Sequence, residues 1–160
     1  MKAASAKQIK DELKGRSSKD LLELCLRLSR FKKENKELLT YLLFEAGSEA
    51  NYIENVIIWM DEQFTEINRQ NYYYIKKGVR KILKNIKKYI RYSGNKETEV
   101  ELLIAFCKSY KKSVPAATKR LVLKNILDRQ LELVRKKITL LHEDLQYDYG
   151  LELEDLIGKS

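Results

Sequence analysis

The sequence predicts an all-α protein, and three observations support this fold class. Only six of the 160 residues are glycine and one is proline, so residues that interrupt helices are scarce. Leu, Ile, Lys, Glu and Arg, which favour helices, dominate the composition. Apolar residues recur at spacings of three and four instead of alternating. We therefore expect about seven helices, packed as antiparallel hairpins in a helical bundle or a short α-solenoid.

Capping residues and breaks place the predicted helices along the chain. Ser17 or Ser18 caps the second helix, Gly47 ends the third, and Pro115 opens the seventh. The short connections between consecutive helices favour antiparallel neighbours. The predicted helices cover residues 5–14, 18–33, 34–46, 49–68, 72–92, 96–112 and 115–149.

The chain length fits a single helical domain over residues 1–160, of which residues 150–160 are expected to form a flexible acidic tail. The inward stripes of the second and sixth helices can be overlaid at one constant offset. Either the chain contains duplicated hairpins, as in a solenoid, or two amphipathic helices align by chance. The aligned residues are Leu21, Leu24, Cys25, Leu28 and Phe31, which fall on Val100, Leu103, Ile104, Cys107 and Tyr110.

The seventh predicted helix carries two apolar rows, so we expect it to have two neighbours. One row should pack inside the domain. The other packs inside as well or contacts a second chain. The first row is Leu123, Leu127, Leu131, Val134, Ile138, Leu141 and Leu145, and the second is Ile126, Leu133, Leu140 and Tyr147.

Charge is segregated along the chain, although the net charge is only +9. Residues 37–68 contain seven acids and no base, residues 69–92 contain nine bases and no acid, and residues 143–158 contain six acids and no base. On a helical projection, eight bases of the fifth helix share one side, opposite its apolar residues. This predicted basic face consists of Lys76, Lys77, Arg80, Lys81, Lys84, Lys87, Lys88 and Arg91.

Three interpretations of the basic face remain open. In the first, it is a surface that is solvated or neutralised by the protein's own acids, which is the usual state of lysine-rich helices. Alternatively, it binds nucleic acid, with Tyr72, Tyr73 and Tyr74 at the start of the helix available for stacking on bases. A third interpretation is attachment to an anionic membrane surface, but the apolar side of this helix is needed for the core.

An acidic helix with outward aromatic residues offers a second candidate contact surface. Tyr52, Ile58 and Trp59 lie on or beyond the flanks of the core stripe of the fourth helix. Either another helix of the same domain covers them, or they contact a protein partner or a second copy of the chain.

No constellation of residues indicates catalysis. The single histidine, His142, has no second histidine or thiolate at metal-ligand spacing and no marked nucleophile. Asp144 and Asp148 lie one helical turn apart and could share a cation, but such a pair is more often simply part of an acidic helix end. Cys25 and Cys107 lie among apolar residues and are expected to be reduced core residues. We expect a protein that is not an enzyme and needs no metal or cofactor.

The sequence also predicts the cellular setting. Residues 1–15 lack the apolar centre of a signal peptide, and the longest apolar run, residues 56–60, is too short to cross a bilayer. We expect a cytoplasmic protein with no integral membrane segment.

Five runs of the chain carry a resemblance to known proteins: residues 19–39 (KDLLELCLRLSRFKKENKELL), 74–88, 91–93, 97–107 (ETEVELLIAFC) and 141–149 (LHEDLQYDY). Together they resemble a group of uncharacterised all-helical proteins of Bacteroidetes-type bacteria, and the general style is similar to helical-repeat proteins. The resemblance implies a cytoplasmic bacterial protein and no known activity. Together with the surfaces above, we expect a helical protein–protein interaction or scaffold module, with nucleic-acid binding through residues 72–92 as the alternative.

Overall fold

The computed structural model describes residues 1–114 and 120–158, and within them it contains eight α-helices and no strand. The predicted all-α fold class is confirmed. The helices are α1 (Ala6–Lys14), α2 (Ser18–Phe31), α3 (Lys33–Thr40), α4 (Glu49–Thr65), α5 (Tyr72–Ser93), α6 (Lys96–Ser113), α7 (Leu121–Ile138) and α8 (Glu143–Gly158).

Two predicted helices differ from the structure by more than a few residues. The third ends as an α-helix at Thr40 and continues as a π-helical turn over Tyr41–Glu45. The seventh is not one helix, because the chain breaks between Ile138 and Glu143 to give α7 and α8. Its predicted start at Pro115 lies outside the described residues.

Local hydrogen bonds explain the break between α7 and α8. The amides of Leu140 and Leu141 bond to carbonyls three residues back, which tightens the chain into a turn. The Thr139 hydroxyl donates to the Lys136 carbonyl at 2.8 Å and competes with the helical pattern. The acids that follow favour the start of a new helix, since they interact with its positive end.

Residues 150–160 were predicted to form a flexible tail, but the described part of this segment belongs to α8, which continues to Gly158. Leu153 and Leu156, one turn apart, are buried and hold the end of this helix against the rest of its unit. Residues 159–160 lie outside the described part of the chain.

The chain divides into two compact units, residues 1–44 and residues 45–160. The organisation as one domain therefore stays a prediction. In the first unit, α2 packs against α3, and Ser5 and Ser17 form capping boxes with Gln8 and Asp20.

Most of the predicted inward stripe of α2 is exposed to solvent. Leu24, Cys25, Leu28 and Phe31 are exposed, so the expectation that they form core is wrong, including the expectation for the Cys25 thiol. Few helices are available in this unit to cover them. The aligned stripes of α2 and α6 thus have different environments, which removes the physical basis for reading them as equivalent halves of a repeat.

In the second unit, α6 is the central helix of a bundle, in contact with α4, α5, α7 and α8. Its predicted stripe is confirmed as core, and Leu102 and Phe106 on other sides of the helix are fully buried as well. A helix that is apolar on several sides must be surrounded by its neighbours. The rings of Phe64, Phe106 and Tyr110 pack together between α4 and α6.

Candidate anion-binding groove on the fifth helix

The geometry of α5 follows from its ends and its apolar stripe. The Asn71 side chain caps the first turn by accepting from the Tyr74 amide at 3.2 Å. Gly94 ends the helix in the left-handed conformation, with φ +67°, and its amide donates to the Ile90 carbonyl. Between these ends, the side chains that face the core of the second unit are Val79, Ile82, Ile86 and Ile90.

With the apolar side fixed against the core, most of the basic face is turned to solvent. Lys76 and Lys88 are half-buried, and the other six bases are exposed. Within the described residues, none of those six lies within ion-pair distance of a carboxylate. The six exposed bases are Lys77, Arg80, Lys81, Lys84, Lys87 and Arg91.

Part of the basic face forms one wall of a groove of about 640 Å³, here called the basic groove. Helix α5 contributes four bases to the groove, α6 lies beneath it, and α7 forms the opposite wall. The basic residues are Arg80, Lys84, Lys87, Arg91 and Lys137, and the apolar residues are Leu83, Ile90, Leu103 and Leu133.

The basic groove has an excess of positive charge. Glu99 is its one acidic lining residue, and its carboxylate lies 2.9 Å from the Lys137 ammonium. The four bases from α5 remain uncompensated by the residues that line the groove. Their guanidinium and ammonium groups therefore favour an anionic ligand above an apolar floor.

The remaining bases of α5 have other surroundings. The Lys76 ammonium lies 5.5 Å from the ring centroid of Tyr72, and the Lys88 ammonium lies 5.2 Å from that of Tyr89. Lys77 and Lys81 are exposed but do not line the basic groove. The predicted face is thus divided into groove bases, ring-covered bases and outer bases.

The acidic helix α8 packs beside α6 and α7, and none of its residues lines the basic groove. Its inward polar groups bond to α6 instead. The Tyr149 hydroxyl lies 2.9 Å from the Glu101 carboxylate and 3.1 Å from the Glu97 carboxylate. Burial and these two carboxylates raise the pKa of Tyr149 well above its usual range. Lys108 pairs with Glu152 at 2.5 Å.

The predicted contact surface on α4 is mostly covered by α5. Tyr52 is buried and its hydroxyl donates to the Tyr89 carbonyl at 2.9 Å, so for this residue the alternative that another helix covers it holds. Trp59 is half-buried, and its ring lies edge-on to Tyr89 at a centroid distance of 5.3 Å. Ile58 alone of the three is largely exposed, at 51%.

The sequence did not predict the wall that α7 contributes. Nothing in the spacing of the sequence singles out Lys137, and Leu133 belongs to the second apolar row of the predicted seventh helix. The spacing of residues along one helix does not show which side chains of another helix they face. Glu99 opposite Lys137 is the kind of pairing that only the packed structure reveals.

Metal ligands, the single histidine and membrane-spanning segments are the other candidate features of residues 1–114 and 120–158. In these residues, no three His, Cys, Asp or Glu side chains converge as ligands for a metal ion. His142 is exposed, with its Nδ1 atom 3.6 Å from Asp144. None of the helices described is both long enough and apolar enough to span a membrane.

No model of a known protein family matches the chain, and no curated protein or solved structure is significantly similar to it. The resemblance to all-helical proteins of Bacteroidetes-type bacteria stays a prediction.

Proposed function

We propose that the protein is a non-enzymatic interaction module that binds an acidic helical segment of a protein partner in the basic groove. One observation supports this above others: the groove combines uncompensated bases on its wall with leucine and isoleucine side chains on its floor. A ligand that matches both must present acids and apolar side chains on the same face.

An acidic amphipathic helix has that combination, and helix-in-groove docking is a common mode of recognition. The groove bases extend from Arg80 to Arg91, about 16 Å along α5, which corresponds to about three turns of a bound helix. Apolar side chains that cover Leu83 and Leu133 would supply affinity. The bases would accelerate the encounter and fix the orientation.

Nucleic-acid binding is the second candidate, and exposed aromatic rings at the start of α5 favour it. Tyr73 and Tyr74 are exposed, with ring centroids 5.5 Å apart, and the outer bases Lys77 and Lys81 lie on the next turns. Phosphates, however, gain nothing from the apolar floor. A nucleic acid would use the whole basic face, whereas an acidic helix would use only its groove side.

This difference gives a test with two variants of equal charge. A fluorescent synthetic peptide that forms an acidic amphipathic helix is titrated with the wild type, with Lys84→Glu/Lys87→Glu and with Lys77→Glu/Lys81→Glu. We expect the groove variant to bind at least about tenfold more weakly, a loss of about 1.4 kcal/mol, and the outer variant to bind about as well as the wild type. Circular dichroism checks that both variants keep their helicity.

A peptide of the same composition with a scrambled apolar pattern is the control for simple charge attraction. Equal binding of both peptides, or equal losses in the two variants, would contradict helix docking in the groove. An unstructured DNA or RNA oligomer that binds more tightly than the peptide, and loses affinity in both variants and with rising salt, would favour the nucleic-acid alternative.

A further inference from the structure

We propose that the segment that binds the basic groove is helix α8 of a second copy of this chain, so that the protein forms a reciprocal dimer. This inference rests on the proposed function, because it names the partner of the same groove.

Helix α8 has an outer face with the required chemistry. Its inner row, Leu153 and Leu156, is buried in the second unit. On the outer face, Tyr147 is 67% exposed and Leu151 is 51% exposed, and the two are one helical turn apart. The exposed acids Asp144, Asp148 and Glu154 lie along the same helix. We call these five residues the acidic face of α8.

The acidic face of α8 matches the basic groove in length and in charge. From Asp144 to Glu154 it extends about 15 Å, and the groove bases from Arg80 to Arg91 extend about 16 Å. Its acids complement the four groove bases of α5, and among the described residues none of these four lies within ion-pair distance of a carboxylate. Tyr147 and Leu151 complement the apolar floor. The acids of α4 flank one large exposed apolar residue, Ile58, whereas those of α8 flank two, Tyr147 and Leu151.

The two surfaces belong to the same unit and share no residue. Each copy can therefore donate its α8 to one partner while its own groove accepts an α8. When two copies exchange α8 contacts around a twofold axis, the contact occurs twice and the assembly closes as a dimer. The second apolar row of the predicted seventh helix, to which Tyr147 belongs, then contacts a second chain.

A charge-swap experiment tests this dimer with the full chain. Sedimentation velocity at low salt, at protein concentrations up to about 1 mM, measures association of the wild type and of two variants. Arg80→Glu/Lys84→Glu/Lys87→Glu makes the groove wall acidic, because only Arg91 keeps its positive charge on α5, and Asp148→Lys/Glu154→Lys makes the α8 face basic. We expect the wild type to dimerise and each variant alone to be monomeric, because like charges then meet in both contacts.

An equimolar mixture of the two variants gives the decisive result. In the mixed pair, the acidic groove meets a basic α8 and the basic groove meets an acidic α8, so both contacts regain opposite charges. We expect a heterodimer to form. The matched control is Glu54→Lys/Glu62→Lys, which reverses two exposed acids of α4 and should leave the dimer intact.

Other outcomes overturn the proposal. A wild type that stays monomeric, a dimer that survives both reversals, or a mixture that stays monomeric would each show that α8 of a second copy is not the ligand. Binding of the amphipathic peptide by a monomeric wild type would leave the proposed function standing while this inference fails. If neither the peptide nor a second copy binds, both fail.

Discussion

Replacing Leu103 by alanine should lower the free energy of unfolding of the second unit by about 2–3 kcal/mol. Leu103 is fully buried in α6, and buried leucines cost about 2–5 kcal/mol when truncated, with the higher values for sites that cannot relax. Leu103 also lies beneath the basic groove, where the neighbouring side chains can close over a cavity. We therefore expect the lower half of that range.

Urea unfolding followed by tryptophan fluorescence measures the loss in free energy of unfolding for the second unit. Trp59 is the single tryptophan of the chain, and it packs against Tyr89 in the second unit. With an m-value of about 1.5–2 kcal/mol per molar urea, the expected loss moves the midpoint down by about 1–2 M. Ile104→Val provides a milder variant, with an expected loss of about 0.5–1.5 kcal/mol.

Leu28→Ala is the matched comparison, because the sequence predicts the same cost and the structure does not. Leu28 is 59% exposed on α2 of the first unit, so we expect a change within about 0.5 kcal/mol. Because Trp59 lies in the second unit, both leucine variants are also followed by circular dichroism, which reports the helices of both units. An equal shift for Leu28→Ala and Leu103→Ala, or a midpoint that Leu103→Ala leaves unchanged at constant m-value, would refute the assignment of core and surface.

Two further predictions concern backbone conformation and thiol chemistry. Gly94→Ala should cost about 1–2 kcal/mol in urea unfolding, because φ at Gly94 is +67° and a side chain is strained there; Gly47→Ala, with open space around its Cβ position, should be close to neutral. Burial raises the pKa of the Cys107 thiol to about 12 from 9.0, so a thiol reagent near pH 8 should label only the exposed Cys25 in the folded protein and both thiols in denaturant. Because the unfolded thiol loses its proton before the folded one, Cys107 should lower stability as pH rises from about 9 to 12, and Cys107→Ala should reduce that slope.

The sequence predicted helical structure well where capping signals and apolar spacing agree. The bounds of α5 follow from Asn71 and Gly94, and the burial of Val79, Ile82 and Ile86 follows from their spacing. The break after Ile138 was missed because no glycine or proline marks it. A turn made by ordinary residues depends on bonds such as that of the Thr139 hydroxyl, which no spacing rule detects.

Burial was predicted less well than helix position, for a physical reason. The apolar stripes of α2 and α6 look alike, yet Leu28 is exposed and Cys107 is buried. Spacing shows which side of a helix is apolar, while burial depends on how many neighbours cover that side. The same limit applies to the candidate site. The eight bases were predicted, but the groove that selects four of them depends on α6 and α7.

The central position of α6 has a consequence during protein synthesis. When α6 leaves the ribosome, α4 and α5 are already available to cover part of it, but α7 and α8 have not yet emerged. Until then, apolar residues such as Phe106 and Leu102 lack some of their final neighbours. In that interval the nascent chain exposes apolar side chains of α6 to solvent. A chaperone that binds the nascent chain at this stage would therefore bind α6 first.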